Sequence, residues 1–124
     1  MTLDDILEEI KKAETIVILS HESPDGDAVA SSLSVMHVAE QLGKKADVVI
    51  PEYSRDFKFL PGSEKILEKG QEEPYDLAIS VDCTDLKRLA CGKEYFEPAK
   101  TTIQIDHHSV NAMFADYNYV DPVA

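Results

Sequence analysis

Histidine and aspartate residues follow three of the predicted strands of this chain, at the point where each strand ends. The first strand runs into a histidine, and aspartates lie four and six positions further on. The third strand ends at an aspartate, and the fourth ends in an Asp-His-His triplet. Ligands of open parallel sheets bind outside the carboxyl ends of the strands, so we expect these side chains to converge at one edge. The residues are His21, Asp25, Asp27, Asp82, Asp106, His107 and His108.

These residue types are suited to a binuclear metal site. Imidazole nitrogen together with carboxylate oxygen matches Mn²⁺, Mg²⁺ or a similar divalent ion, whereas thiolates would favour zinc. Two such ions lie about 3.5–4 Å apart when they share a carboxylate. A water between them loses its proton near neutral pH and can attack phosphorus, while the ions bind the phosphoryl and leaving oxygens. The predicted reaction is therefore hydrolysis of a phosphate ester or anhydride.

The elements that position these residues alternate between helix and strand. Apolar residues at helical spacing predict helices, and continuous β-branched runs are typical of strands buried on both faces. This order predicts an α/β fold, an open and mostly parallel sheet with helices on both faces. We expect helices over residues 3–13, 27–42 and 61–70, and strands over 16–19, 48–50, 77–81, 101–105 and 117–120, with Gly43 closing the second helix.

Composition narrows the class of partner. Asp plus Glu is 24 and Lys plus Arg is 12, which gives a net charge of −12. Such an acidic surface argues against binding long duplex nucleic acid. No stretch approaches the roughly 20 apolar residues of a membrane span, so no membrane partner is expected. Two cysteines, Cys83 and Cys91, are too few for a secreted disulfide framework, and we expect a cytoplasmic protein.

Three segments carry a family resemblance. HESPDGDAVASS, VDCTD and IDHHSVN resemble the first three motifs of the DHH phosphoesterase superfamily. That superfamily includes RecJ-type exonucleases, family II inorganic pyrophosphatases, and nanoRNase/pAp phosphatases. The H-x-x-P-D-G-D-A and D-C-x-D-L-x-R forms, with the late NYVDP segment, look most like the nanoRNase/pAp phosphatase branch. The resemblance covers essentially the whole chain.

The resemblance implies a role for each residue. His21 and Asp25 would hold one ion, and Asp27 and His107 the other. Asp82 would bridge the two ions, which are expected to be Mn²⁺, with Mg²⁺ as the alternative. His108 would face the substrate phosphate as a hydrogen-bond donor or acid. Asp106 would orient the neighbouring histidines.

The resemblance also implies further parts of the enzyme. The family's domain continues beyond NYVDP to a fourth motif, whose aspartate completes the second metal site, and then to a substrate-binding domain. We therefore expect residues 1–124 to be the N-terminal part of a DHH catalytic domain. Alone, they should bind the first ion more tightly than the second and hydrolyse little or nothing. An exposed strand near residues 117–120 should invite pairing with another chain, which makes a homodimer a candidate assembly.

The leading function is a Mn²⁺-dependent phosphoesterase for small phosphorylated nucleotides. Short oligoribonucleotides, linear dinucleotides and 3′-phosphoadenosine 5′-phosphate are the expected substrates. The alternatives are a family II-type inorganic pyrophosphatase and a non-catalytic metal- or nucleotide-binding module. A receiver-type signalling domain is disfavoured, because its late strand should deliver a lysine whereas this one delivers His107 and His108. His37, alone within a helix, is expected to lie at the surface or at the edge of the core.

Overall fold

Helices and strands alternate along the part of the chain that the computed structural model describes, namely residues 3–20, 26–50, 65–67, 69–81, 93–106 and 115–120. The helices are α1 (Leu3–Lys12), α2 (Gly26–Gln41) and α3 (Lys93–Phe96), and the strands are β1 (Ile16–Ser20), β2 (Ala46–Val49), β3 (Ile66–Leu67), β4 (Leu77–Val81), β5 (Thr101–Asp106) and β6 (Tyr117–Val120). Among the described residues, no helix is long and apolar enough to cross a bilayer.

The strands within the described residues form one six-stranded sheet in the order β3-β2-β1-β4-β5-β6. Every neighbouring pair is parallel, which confirms the predicted open parallel α/β fold. The chain leaves β1 toward β2 on one side and later returns to pair β4 on the other side. The order therefore reverses between β1 and β4, and in open α/β sheets such a switch point is where ligands bind.

One face of the sheet is covered by α1 and α2. Ile16 and Ile18 of β1 and Ile79 of β4 lie in the same buried cluster as apolar residues of both helices. The helix residues in that cluster are Ile6, Ile10, Val29, Leu33, Met36 and Ala39. Their spacing of three or four residues keeps them on one side of each helix, so burial of this stripe fixes how α1 and α2 lie on the sheet.

The opposite face is covered in part by α3. Val17 and Leu19 of β1 pack there with Ala78 of β4 and with Phe96 of α3. On β5 and at the carboxyl end of β4 this face is polar. By strand alternation its residues there are Ser80, Thr102, Gln104 and Asp106, all of them buried. Helices on both faces of the sheet were predicted and are confirmed.

Gly43 ends α2 as predicted. Its φ is 79°, in the left-handed region that glycine adopts without a steric penalty. The Gly43 amide donates to the Glu40 carbonyl at 3.0 Å, and the Lys44 amide donates to the Ala39 carbonyl at 2.9 Å. This pair of bonds is a Schellman motif, which satisfies carbonyls at the end of the helix and turns the chain toward β2.

Two elements differ from the sequence prediction. A helix was predicted over residues 61–70, but Ile66 and Leu67 form β3, paired in register with Val48 and Val49. The prediction is wrong there because the edge of β2 offers backbone partners that helical spacing does not reveal; the Ile50 amide, for example, donates to the Leu67 carbonyl at 2.9 Å. The four-residue helix α3 was not predicted, since it is too short for a periodic pattern.

Candidate metal centre at the carboxyl edge of the sheet

Three adjacent strands end at the same level of the sheet. Ser20 of β1 is in register with Val81 of β4, and Val81 is in register with Ile105 of β5. Neighbouring strands lie about 4.8 Å apart, so the exits of β1 and β5 are about 10 Å apart with the exit of β4 between them. The chain segments that follow these three strands therefore start close together.

The predicted metal ligands follow these strand ends in the sequence. His21 comes directly after β1, Asp82 directly after β4, and His107 directly after β5. Asp25 directly precedes α2, and Asp27 is the second residue of that helix. The side chains of these five residues, and the whole of His108, lie outside the described residues. Their contacts and the two-ion geometry therefore stay predictions.

The described residues alone do not form a metal site. Within residues 3–20, 26–50, 65–67, 69–81, 93–106 and 115–120, no group of three or more His, Cys, Asp or Glu side chains could hold an ion. The donor set that follows the three strands consists of imidazole nitrogens and carboxylate oxygens. That set fits Mn²⁺ or Mg²⁺, for which such donors are suitable.

Asp106 is the one predicted site residue whose side chain is described. It is the last residue of β5, one position beyond the predicted end of that strand, and it is only 5% exposed. By strand alternation it shares a face with Thr102 and Gln104. A buried carboxylate held by a strand, directly before His107, is well placed for the predicted orienting role, which itself stays a prediction.

Two buried polar residues at this edge were missed by the sequence reasoning. Ser80 and Gln104 are register partners on β4 and β5, and both are 0% exposed. Each lies two positions before an aspartate and between two apolar neighbours, in LAISVD and TTIQID. That repeated position is the signal that could have identified them. The Ser80 hydroxyl has no hydrogen-bond partner among the described residues.

The N-terminus of helix α2 adds a positive electrostatic field at the same edge. It connects β1 to the parallel strand β2, so it begins near the carboxyl end of β1. The first amides of a helix lack partners within it, and the helix dipole is positive at this end. The start of α2 therefore favours negative charge, such as a phosphate group, next to the strand exits.

The amino edge of β4 is built differently, around Asp76. One Asp76 carboxylate oxygen accepts from the Glu14 amide at 3.0 Å, and the other lies 3.3 Å from the Lys100 ammonium. The Asp76 amide donates to the Thr15 hydroxyl at 2.9 Å. The Glu14 amide and then Lys100 hold the pKa of Asp76 below its ordinary value. This carboxylate therefore joins the start of β4 to the segment that leads into β1 and to the start of β5.

A second polar contact at the amino edge involves Tyr75, which is 1% exposed. Its hydroxyl donates to Asp47 of β2 at 2.7 Å and accepts from the Gln71 amide at 2.9 Å. Burial, reinforced by the bond to Asp47, raises the pKa of Tyr75. The Gly70 amide donates to the Tyr95 hydroxyl at 3.0 Å. Gly70, Gln71, Tyr75 and Tyr95 border a cleft of about 450 Å³, away from the carboxyl edge.

His37 lies at the surface, as predicted. Its side chain is 44% exposed on α2, and its Nδ1 atom lies 3.3 Å from Glu40. Lys65, directly before β3, reaches the other oxygen of Glu40 at 2.7 Å. The bond from Lys65 is the largest cause that lowers the pKa of Glu40. These contacts link α2 to β3, so His37 takes part in surface packing rather than in the candidate centre.

Curated relatives match nearly the whole chain. Over 120 residues it is 32% identical to the bifunctional oligoribonuclease and PAP phosphatase NrnA of Thermus thermophilus, a match that covers 94% of this chain and 35% of the relative. It is 27% identical over 134 residues to the cyclic-di-AMP phosphodiesterase PdeA of Listeria monocytogenes, covering 93% of this chain and 20% of that protein. The chain thus spans about a third or less of the length of these relatives.

A solved structure and a family match agree with these relatives. The chain superposes on an exopolyphosphatase-related protein from Bacteroides fragilis with a TM-score of 0.84 and 31% identity, covering 96% of this chain and 38% of the other. Residues 15–124 match the DHH family, N-terminal domain, which includes the three strand exits described above. The chain belongs to the DHH family.

Proposed function

We propose that this chain forms the metal-binding part of a Mn²⁺-dependent phosphoesterase. Its expected substrates are short oligoribonucleotides, linear dinucleotides and 3′-phosphoadenosine 5′-phosphate. One observation carries the proposal: β1, β4 and β5 end in register, directly before the histidines and aspartates of a DHH-family chain. In the relatives, the names oligoribonuclease, PAP phosphatase and cyclic-di-AMP phosphodiesterase refer to phosphoester substrates of the same kind.

The order of the strands supports the bridging role proposed for Asp82. Because β4 lies between β1 and β5, the chain at Asp82 starts between the segments that begin with His21 and His107. A carboxylate that bridges two ions has to come from such a central position. When bound, two divalent ions would stabilise charge on the phosphoryl oxygens and lower the pKa of an attacking water.

His108 would act on the substrate, and Asp106 would act on the histidines next to it. His108 would donate a hydrogen bond or a proton to the substrate phosphate. Asp106, buried at the end of β5, would hold the neighbouring imidazoles in one orientation and tautomer. The first turn of α2 would add backbone donors for a phosphate oxygen.

A short substrate fits the charge of the chain. With a net charge of −12, the protein offers little positive surface along which a long nucleic acid could bind. A mononucleotide or a short oligonucleotide needs only the local field of bound cations and of a helix N-terminus. The cytoplasm, where such degradation products arise and where two cysteines stay reduced, is the proposed compartment.

Phosphoanhydride hydrolysis is the second candidate. The structural neighbour at a TM-score of 0.84 is described as exopolyphosphatase-related, and polyphosphate is a chain of anhydrides. The same ligand set could serve either bond, because both reactions displace an oxygen leaving group from phosphorus. Pyrophosphate and short polyphosphate therefore have to be included in every substrate panel.

The test combines metal binding with hydrolysis. Calorimetric titration with Mn²⁺ measures affinity and stoichiometry, and hydrolysis is followed with a diadenylate dinucleotide, 3′-phosphoadenosine 5′-phosphate and pyrophosphate. The proposal expects Mn²⁺ binding that is lost in His21→Ala and retained in His37→Ala, the matched control on the surface of α2. Turnover of the nucleotides but not of pyrophosphate would support the leading function, and the reverse preference would favour the second candidate.

Metal and nucleotide binding with little or no turnover is the result expected of residues 1–124 alone, and it would make this chain a binding module whose catalysis needs further residues. One result would change the assignment. No Mn²⁺ or Mg²⁺ binding by a protein with a cooperative thermal transition would contradict the metal-centre proposal as a whole.

A further inference from the structure

Ser80 occupies an unusual position on β4. Its side chain is 0% exposed, and its hydroxyl has no hydrogen-bond partner among the described residues. A buried hydroxyl without a partner destabilises the fold, whereas alanine would fill nearly the same space without that cost. A polar group kept at such a position needs a reason that lies outside ordinary core packing.

The surroundings of Ser80 lead toward the carboxyl edge. Along its strand the side chains of the same face change from Ala78 to Ser80, and Ser80 is the last residue of that face within β4. Across the sheet it is in register with Leu19 on one side and Gln104 on the other. Gln104 is also 0% exposed, and Asp106 follows it on the same face. Ser80 and Gln104 thus form a polar row just before the ends of β4 and β5.

The two strands repeat the same arrangement. In β4 a buried serine stands two positions before Asp82, and in β5 a buried glutamine stands two positions before Asp106. A separation of two residues is about 6.6 Å along a strand, a distance that side chains or one bridging water can span. A water held there would have polar partners from two strands, as buried waters require.

We propose that Ser80 and Gln104 are positioning residues for the metal centre. Ser80 through one buried water, and Gln104 directly or through the same water, hold Asp106 in the orientation that metal binding needs. The inference rests on the proposed function, because it assigns a role toward the same centre. Groups that orient metal ligands typically contribute 10- to 100-fold to metal affinity.

Mn²⁺ affinity and the Tm of the metal-free protein together test this role, because only the affinity should fall. In the Ser80→Ala variant we expect Mn²⁺ to bind about 10- to 100-fold more weakly. The Tm of the metal-free variant should be unchanged or higher, since an unpartnered hydroxyl is removed. Gln104→Leu should also weaken Mn²⁺ binding, and the double variant should lose less than the product of the two single losses, because the residues act together. Calorimetry and thermal melts give both readouts without an activity assay.

Thr102→Val is the matched control. Thr102 is buried on the same face of β5, two positions further from the carboxyl edge, and its hydroxyl accepts from the Asp116 amide at 2.8 Å. Its loss should lower Tm and leave Mn²⁺ affinity unchanged. If Ser80→Ala lacks a cooperative transition, Ser80→Cys replaces it, because it keeps the volume and supplies only a weak donor.

The outcomes separate this inference from the proposed function. If the unaltered chain does not bind Mn²⁺, the proposed function fails and the positioning role fails with it. If the unaltered chain binds Mn²⁺ and Ser80→Ala binds it equally well, only the positioning role is overturned. A weaker affinity accompanied by a lower Tm of the metal-free variant would also overturn it, because the hydroxyl would then serve stability.

Discussion

The two ends of β4 use polar groups in opposite ways. At the amino end, Asp76 is joined to Glu14, Thr15 and Lys100 by contacts of 2.9–3.3 Å. At the carboxyl end, the buried hydroxyl of Ser80 has no partner within the described residues. Polar groups that partner one another stabilise the fold, whereas a polar group kept without a protein partner is available to a water, a ligand or a ligand-bearing segment.

This difference predicts separable effects. Changes at the amino end should lower stability and leave metal binding intact, and changes at the carboxyl end should do the reverse. Active sites commonly keep groups that reduce stability, because their geometry serves the reaction. The variants below test this separation from the largest expected effect to the smallest.

Asp82→Ala should have the largest effect. As the proposed bridge, its carboxylate would bind both ions, so its loss should weaken Mn²⁺ binding by more than about 100-fold, beyond what the loss of an orienting group costs. Any turnover should fall by several orders of magnitude. Titration calorimetry measures the affinity, and Asp76→Ala, which removes a carboxylate from the other end of β4, is the control. Near-normal affinity at both sites would exclude the bridging role.

Gly70→Ala should give the largest loss of stability at the amino end. A β-carbon at this position would lie 2.6 Å from the Tyr75 hydroxyl and 3.0 Å from a ring carbon of Tyr95. Both rings would have to move, at a cost of about 3 kcal/mol, the upper part of the range for overpacking. Urea unfolding measures this loss. Gly43→Asn, at a left-handed position that asparagine tolerates, should cost much less.

Tyr75→Phe should destabilise by about 2 kcal/mol, because it removes the donor to the Asp47 carboxylate. The raised pKa of Tyr75 adds a pH dependence. Its contribution is fully present below the unfolded value near pH 10 and is lost as pH rises further. The stability difference between the two proteins, measured by urea unfolding at several pH values, should therefore narrow above about pH 10. A constant difference would contradict this assignment.

Asp76→Asn should produce the smallest change, and one that depends on acid. Because the folded pKa of Asp76 is lowered, its contribution is present above the unfolded value near pH 4 and is lost as pH falls through the folded value. The variant should have a lower Tm at pH 7, and the Tm values of the two proteins should converge as the pH falls below about 4 and through the folded pKa. Mn²⁺ affinity at pH 7 should match that of the unaltered chain. A weaker affinity would contradict the prediction that the amino end of β4 affects stability and not metal binding.

The fold was largely predictable because its signals are local and strong. The buried runs at residues 16–19 and 77–81 and the glycine at position 43 each predict one element, and the structure confirms them. Strand β3 was mistaken for helix, since Ile66 and Leu67 are too few to establish a period and depend on pairing with β2. Parallel pairing of distant strands is a tertiary effect that propensity does not encode.

The ligands of the candidate site could be proposed from the sequence and stay predictions, whereas the buried polar residues next to them could not be proposed. The residue types and the family resemblance were enough to propose the ligands, from His21 to His107, because motifs are written in the sequence. The polar row of Ser80 and Gln104 was not recognised, since a single serine or glutamine within an apolar run has no distinctive pattern. Its meaning depends on the register between β4 and β5, which only the assembled sheet supplies.

The pairing of β1 with β4 has a consequence for the order of folding. Thr15 and Asp76, which join the starts of these strands, are 61 residues apart in the sequence. Contacts of such long range require the closure of a large loop before they contribute, which slows folding. During synthesis, α1, β1, α2 and β2 can associate first. One edge of β1, the one that pairs with β4, has no partner until β4 has been synthesised. Such an exposed edge favours aggregation of a nascent chain.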